Sequence, residues 1–283
     1  MLPSRAVVPS LVTQASHRAV DPRPIALPSD DAGVLLLHGL TGTPHEVRPM
    51  AHALHAAGFA VRAPLLAGHT DLGALERSTW RDWYASAREA YEALRERDRP
   101  VLVLGFSMGS LLALRLAALH RDEISGVIAI SVLLRMSGWK RGAIHALARL
   151  RGSRLLRDVV GVLPKNGGPD IRVQREVDGS PSLRGFPYPT LCELVALQDE
   201  VLELLPHVRA PALLLHGRYD HTAPVEQSEL CAQRLGSSQV SRQVLPRSFH
   251  VVGLDLDREL ACTEVVDFAT RILRPSTVPG NRS

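Results

Sequence analysis

The segment VLVLGFSMGSLLALRLAALH, running from Val101 to His120, decides the fold. Its first six residues, Val101–Phe106, are an unbroken apolar run of strand length. From Met108 to Arg121 the spacing and the apolar content predict a buried helix. Between the two, Gly105-Phe106-Ser107-Met108-Gly109 matches G-x-S-x-G in the strand–turn–helix setting that gives this motif a mechanical meaning. A turn this sharp crowds the side chains two residues before and after the serine, and glycine relieves the clash. The turn lifts the serine hydroxyl off the carboxyl edge of a sheet. The N-terminus of the following helix then aims N–H groups and its positive dipole end at the same spot. Ser107 is therefore the expected nucleophile.

The same rhythm extends to both sides. Val34–Leu37, Phe59–Ala63, Ile124–Ser131, Ala212–His216 and Val240–Leu245 read as strands. Glu46–Ala57, Trp80–Arg97 (with Thr79 as N-cap), Val225–Leu235 and a closing stretch near Leu256–Leu273 read as helices. Alternating elements of these lengths predict an α/β fold, a mainly parallel sheet with helices on both faces. From Val132 to about Ala210 the rhythm breaks. No clean strand is legible there, turn residues cluster at Lys165–Asp170 and Gly179–Pro189, and helical patterns cover Gly142–Leu163 and Leu191–Leu205. The expected organisation is an extended or poorly ordered arm over 1–24, a core over 25–131 and 211–274, a helical cap over 132–210, and a flexible tail over 275–283.

A serine hydroxyl attacks only when a base removes its proton and a carboxylate orients that base. In a parallel sheet these groups stand on loops at the carboxyl ends of strands. Asp220 follows the strand ending at His216, and His250 follows the strand ending at Leu245, so these two are the expected partners of Ser107. His52 and His55 read as a surface pair on a helix, with no third ligand spaced to join them into a metal site. His45-Glu46 does not extend to H-E-x-x-H because position 49 is proline. His216 reads as a core or edge histidine, and Asp255 and Asp257 as caps of the last helix. The loop His38-Gly39-Leu40-Thr41-Gly42 follows the first confident strand and suits a site for the negative charge that develops in acyl transfer. Its donors would be the N–H groups of Leu40 and Met108. The side chains of both, with Val251, would wall an acyl pocket.

Composition narrows the classes. The chain has 283 residues, 45% hydrophobic and 22% charged, which is ordinary for a globular protein able to fold without disulfides or metal. Mean hydropathy is +0.02, and no apolar run approaches a membrane span. The pI of about 9.3 accompanies a formal charge of only +4, aromatics are 4%, and no nucleic-acid motif occurs, so a nucleic-acid-binding module is not expected. Cys192, Cys231 and Cys262 are isolated, which fits free thiols in a reducing compartment. The N-terminus has no signal-type apolar stretch, and a cytoplasmic location is expected.

Taken together, His38-Gly-Leu-Thr-Gly, Gly68-His69, Trp80-Arg-Asp-Trp83, Gly105-Phe-Ser-Met-Gly, Asp220 and His250-Val-Val-Gly-Leu-Asp255 resemble the small bacterial carboxylesterases, α/β-hydrolases similar to bacterial monoacylglycerol lipases. The resemblance spans roughly Gly33 to Leu273. It implies an α/β-hydrolase fold, Ser107, Asp220 and His250 as a triad, and Leu40 and Met108 as oxyanion donors. It further implies short- to medium-chain acyl esters or monoacylglycerols as substrates, and no cofactor. Three departures stand out. Ser110 and Thr70 occupy positions where glycine is common, and the cap is rich in arginine. The same triad also serves thioesterases, C–C hydrolases and perhydrolases, and a non-catalytic receptor can keep it. Acyl length, alcohol and oligomeric state are not legible.

From Ile124 to Arg157 the chain has no acidic residue but carries Arg135, Lys140, Arg141, Arg149, Arg151, Arg154 and Arg157. The favoured reading is a lid with an apolar face over the acyl chain and arginines toward water. The weaker one is a basic amphipathic helix on an anionic membrane surface.

Overall fold

The computed structural model describes residues 21–96, 99–136, 138–148, 160–165 and 168–274. Arg149, Arg151, Arg154 and Arg157, the first twenty positions of the expected arm, and the tail lie outside these described residues.

The strands in chain order are β1 (Ile25–Leu27), β2 (Gly33–Leu37), β3 (Ala60–Ala63), β4 (Val101–Phe106), β5 (Ile124–Ile130), β6 (Val162–Pro164), β7 (Gly185–Pro187), β8 (Ala212–Gly217) and β9 (Val240–Leu245). Seven of them form one sheet in the order β1-β3-β2-β4-β5-β8-β9. Only β1 pairs antiparallel, and the other neighbours are parallel. The fold is the expected α/β-hydrolase architecture. The helices are α1 (Arg48–Ala56), α2 (Leu72–Arg77), α3 (Trp80–Arg95), α4 (Met108–Leu119), α5 (Gly138–Ala148), α6 (Gln174–Asp178), α7 (Tyr188–Leu204), α8 (Glu226–Arg234) and α9 (Arg258–Leu273).

The apolar strand runs are explained by cover on both faces. Leu35 and Leu37 of β2, Val103 of β4 and Leu214 of β8 join α3, α4 and α7 in one core cluster. Their alternates Val34, Leu36, Leu104 and Leu215 join α1 and α9 in the other. Helix α3 starts at a capping box between Thr79 and Asp82 and turns Trp80, Trp83, Ala87, Tyr91 and Leu94 inward. Helix α4 is buried nearly all round, because the segment between β5 and β8 lays α7 over it.

That segment departs from the sequence reading. Leu163, expected in a helix, lies in β6, which pairs antiparallel with β7. Each strand is three residues long and contains proline, too short for alternation to register. Of the helix expected over Gly142–Leu163, residues 142–148 belong to α5 and residues 149–159 lie outside the described residues. The stretch expected as one helix over Glu46–Ala57 opens with a 3-10 turn, Pro44–Val47, before α1, since both begin at or next to proline. Strand β1 and the short helix α2, capped by Asp71 accepting from Ala74 N at 2.8 Å, carry no periodicity long enough to predict.

Candidate active site

Ser107 sits between β4 and α4 with φ 54° and ψ −116°, in the left-handed half of backbone space. The flanking glycines are sterically required. A Cβ on Gly105 would stand 2.0 Å from the Gly109 carbonyl oxygen, and one on Gly109 would stand 2.2 Å from that of Leu37. The turn is also stapled. Ser107 N donates to Ile130 O at 2.9 Å. The buried Ser110 hydroxyl lies 2.7 Å from Gly105 O and 2.9 Å from Ile130 O, and accepts from Ile130 N at 3.1 Å. The serine at position 110 thus ties the turn to β5.

Asp220 and His250 leave the carboxyl ends of β8 and β9 as expected, and the structure brings both to Ser107. His250 Nδ1 is 2.7 Å from Asp220 Oδ2, and His250 Nε2 is 2.9 Å from Ser107 Oγ. A carboxylate only accepts, so Nδ1 carries the hydrogen and Nε2 is left to accept from the serine. The other carboxylate oxygen, Oδ1, accepts from Thr222 N at 2.9 Å and Ala223 N at 2.7 Å. Burial alone would raise the Asp220 carboxyl. The neighbouring His250, the His216 ring and the Ala223 N–H outweigh it and hold the group well below the usual carboxylate range.

The loop after β2 is pinned from several directions. His38 donates through Nδ1 to Gly39 O at 2.9 Å, and its Nε2 accepts from Leu66 N at 3.0 Å. That arrangement needs a neutral ring, and burial with the adjacent His69 pushes His38 well below the ordinary histidine range. Gly39 N donates to the buried Glu46 carboxylate at 3.0 Å. Thr41 is fully buried with φ 63°. Leu40 N–H and Met108 N–H have no hydrogen-bond partner among the described residues. Thr41, Ser107 and Ser131 are the non-glycine residues with positive φ among those described, and they follow β2, β4 and β5. Strain of this kind persists only where surrounding contacts impose it, and here it is gathered at one edge of the sheet.

The family model described as serine aminopeptidase, S33, matches residues 28–257. The chain belongs to this family. As an S33-family hydrolase it is 33% identical to the thermostable monoacylglycerol lipase of Bacillus sp. (strain H-257), over 83% of this chain and 89% of that protein. It is 24% identical to the carboxylesterase of Bacillus subtilis (strain 168), over 90% of this chain and 99% of the other. Among solved structures, that reported for the metagenome-derived lipolytic enzymes LipS and LipT superposes with a TM-score of 0.80 at 29% identity, over 90% of this chain and all of that one.

Several residues around the site of this S33 hydrolase escaped the sequence reading. His216, read as a core or edge histidine, is fully buried, and its Nε2 lies 3.2 Å from Asp220 Oδ2 and 2.9 Å from Ala223 O. Both neighbours accept, so Nε2 bears the hydrogen. Asp255 and Asp257 do not cap α9 with their side chains. Asp255 accepts from Phe249 N at 2.7 Å, and Asp257 from Arg247 N at 2.7 Å and the Ser248 hydroxyl at 3.0 Å, so both brace the loop that carries His250. Ser131 Oγ donates to His250 O at 2.7 Å. Val251 is buried in the second core cluster, and Leu40 is half-buried against the first. His52 and His55 are half-buried on α1, and His55 Nδ1 lies 3.3 Å from Phe59 O. The three cysteines are free thiols. No helix among the described residues is long and apolar enough to cross a membrane.

Proposed function

We propose that the chain is a serine carboxylesterase of monoacylglycerol lipase type, acting on short- to medium-chain acyl esters through an acyl-enzyme. Ester hydrolysis is borne out by the named activities of its relatives. The observation that carries the mechanism is the continuous Ser107–His250–Asp220 chain at 2.9 and 2.7 Å behind a serine held at φ 54°.

In the first step Ser107 Oγ attacks the ester carbonyl carbon while His250 Nε2 takes the hydroxyl proton. The carbonyl oxygen gains a full negative charge, and the Leu40 and Met108 N–H groups receive it. Each such donor is worth about 3 kcal/mol of barrier. Collapse of the intermediate breaks the bond to the alcohol oxygen, which leaves with the proton from His250. Water then attacks the acyl-enzyme with His250 again as base, releasing the acid and restoring Ser107. Asp220 stays ionised throughout and stabilises the imidazolium. Residues 25–131 and 211–274 form the catalytic core in this reading. Residues 132–210 form the cap over the acyl chain, with Leu40, Met108 and Val251 at the floor of the pocket.

Turnover across nitrophenyl esters of rising chain length, beside a monoacylglycerol, an acyl-CoA and an aminoacyl anilide, tests this. Esters and the monoacylglycerol should turn over, and Ser107→Ala should abolish both. Faster cleavage of the thioester or the anilide would overturn the assignment.

A further inference from the structure

Two contacts join the inserted segment to the strained residue of the loop after β2. Lys165 Nζ donates to Thr41 Oγ1 at 3.2 Å, and Leu183 N donates to Thr41 O at 2.8 Å. Lys165 directly follows β6, and Leu183 lies two residues before β7, so the β6–β7 pairing fixes both donors. Phe186 of β7 stands 5.8 Å from the ammonium. Glu46, which holds Gly39 N, has Ser182 and Lys165 near its carboxylate. Residues 165, 182 and 183 therefore converge on residues 39–46.

An ammonium set into a half-buried position and bonded to a threonine hydroxyl is a costly way to secure a surface turn. The site it secures is Thr41, next to Leu40, in a backbone conformation that a β-branched residue does not adopt unaided. We propose that Lys165 is a positioning residue for the reaction: through Thr41 it fixes the direction of the Leu40 N–H, so that the inserted segment completes the oxyanion site. This rests on the reading of Leu40 as an oxyanion donor. Lys165 never touches substrate. With the bond broken, Thr41 relaxes from positive φ, the Leu40 N–H turns away, and charge on the tetrahedral oxygen loses a donor, while the ground-state ester binds as before.

The test uses Lys165→Met, Thr41→Val and the double variant, with Lys165→Arg as the conservative replacement. Steady-state kinetics on a nitrophenyl ester are read beside inhibition by a trifluoromethyl ketone of the same acyl chain, which Ser107 converts to an anionic hemiketal. Each single variant should lower kcat roughly ten- to thirtyfold with KM within about twofold, as expected when a charge-assisted bond acts only in the transition state. The ketone should weaken by the same factor, the double variant should be no worse than either single one, and Lys165→Arg should keep most of kcat. If Lys165→Met fails to fold, Thr41→Val reads the same bond from its other end. A loss of thermal stability with kcat and ketone affinity unmoved overturns the proposal, as do effects that multiply in the double variant. Labelling by a serine-directed phosphonate separates the two levels. Wild type unlabelled at Ser107 fails the hydrolase reading and this proposal with it. Labelling with undiminished kcat in the variants fails the proposal alone.

Discussion

His216 Nε2 lies 3.2 Å from Asp220 Oδ2, the same oxygen that receives His250 Nδ1 at 2.7 Å. One imidazole comes from the end of β8 and the other from the loop after β9, so a single carboxylate oxygen joins the sheet to the base. With Thr222 N and Ala223 N on the other oxygen, Asp220 has no freedom to turn.

Replacing His216 by Phe keeps the buried ring and removes the donor. The one Nε2 hydrogen is shared with Ala223 O at 2.9 Å, so the interaction with the charged oxygen is worth less than the about 1.5–3 kcal/mol of a full charge-assisted bond. kcat/KM should therefore drop by up to roughly tenfold, while phosphonate still labels Ser107. Unchanged kcat/KM in His216→Phe would reduce His216 to packing.

Ser107 holds φ 54° against its own Cβ, a conformation that costs on the order of 1–3 kcal/mol. Ser107→Ala retains that Cβ and its strain. Ser107→Gly removes both and gives back about 0.4–1 kcal/mol as unfolded-chain entropy. Both variants should be inactive, but the glycine variant should be more stable than the alanine one by about 1 kcal/mol in urea denaturation. The reverse order would place the strain elsewhere.

Ser107, Asp220 and His250 were legible because each stands directly after a strand of a parallel sheet, where chain position alone fixes spatial position. Strands β2, β4 and β8 were legible because both faces are covered and their residues are almost all apolar, whereas β9 carries exposed Ser241 and Arg242 and is flagged only by its apolar ends. The supporting residues were not. His216 sits in an apolar strand, and its approach to Asp220 depends on the turn 217–220. Asp255 and Asp257 precede a helix, where capping and loop bracing look alike in sequence. Lys165 meets Thr41 across 124 positions, and Asp170 meets His221 across 51, through contacts that no local period encodes.

His69 should make the protein sensitive to mild acid. It packs edge-on against His38 and Trp83, its Nδ1 lies 3.0 Å from Ala67 O, and burial pulls its pKa from 6.5 down to about 4. Between those values the unfolded chain binds a proton that the folded chain refuses, so stability rises with pH through the window and is lost as pH falls from about 6.5 toward 4. The size of the loss from this one ring is about 3 kcal/mol. In His69→Gln, the stability difference between pH 7 and pH 4.5 should shrink, as measured by urea midpoints. An unchanged difference would assign the acid sensitivity to other groups.

Acyl selectivity should follow the apolar surroundings of the serine. Met108 and Val251 are buried and Leu40 is half-buried, all three in or against the core clusters that flank Ser107. Each methylene that leaves water is worth about 0.8 kcal/mol, so two carbons are worth at most roughly fifteenfold in kcat/KM. Rates on nitrophenyl esters should climb several-fold per two carbons, reach a maximum, and fall once the chain outgrows the space under residues 132–210. Leu40→Ala keeps the backbone N–H and removes side-chain bulk. Its maximum should therefore shift toward longer chains, with kcat on the best substrate falling less than tenfold. A flat chain-length profile in the wild type would mean that the acyl group remains in water, and it would remove the basis for reading the inserted segment as an apolar cover.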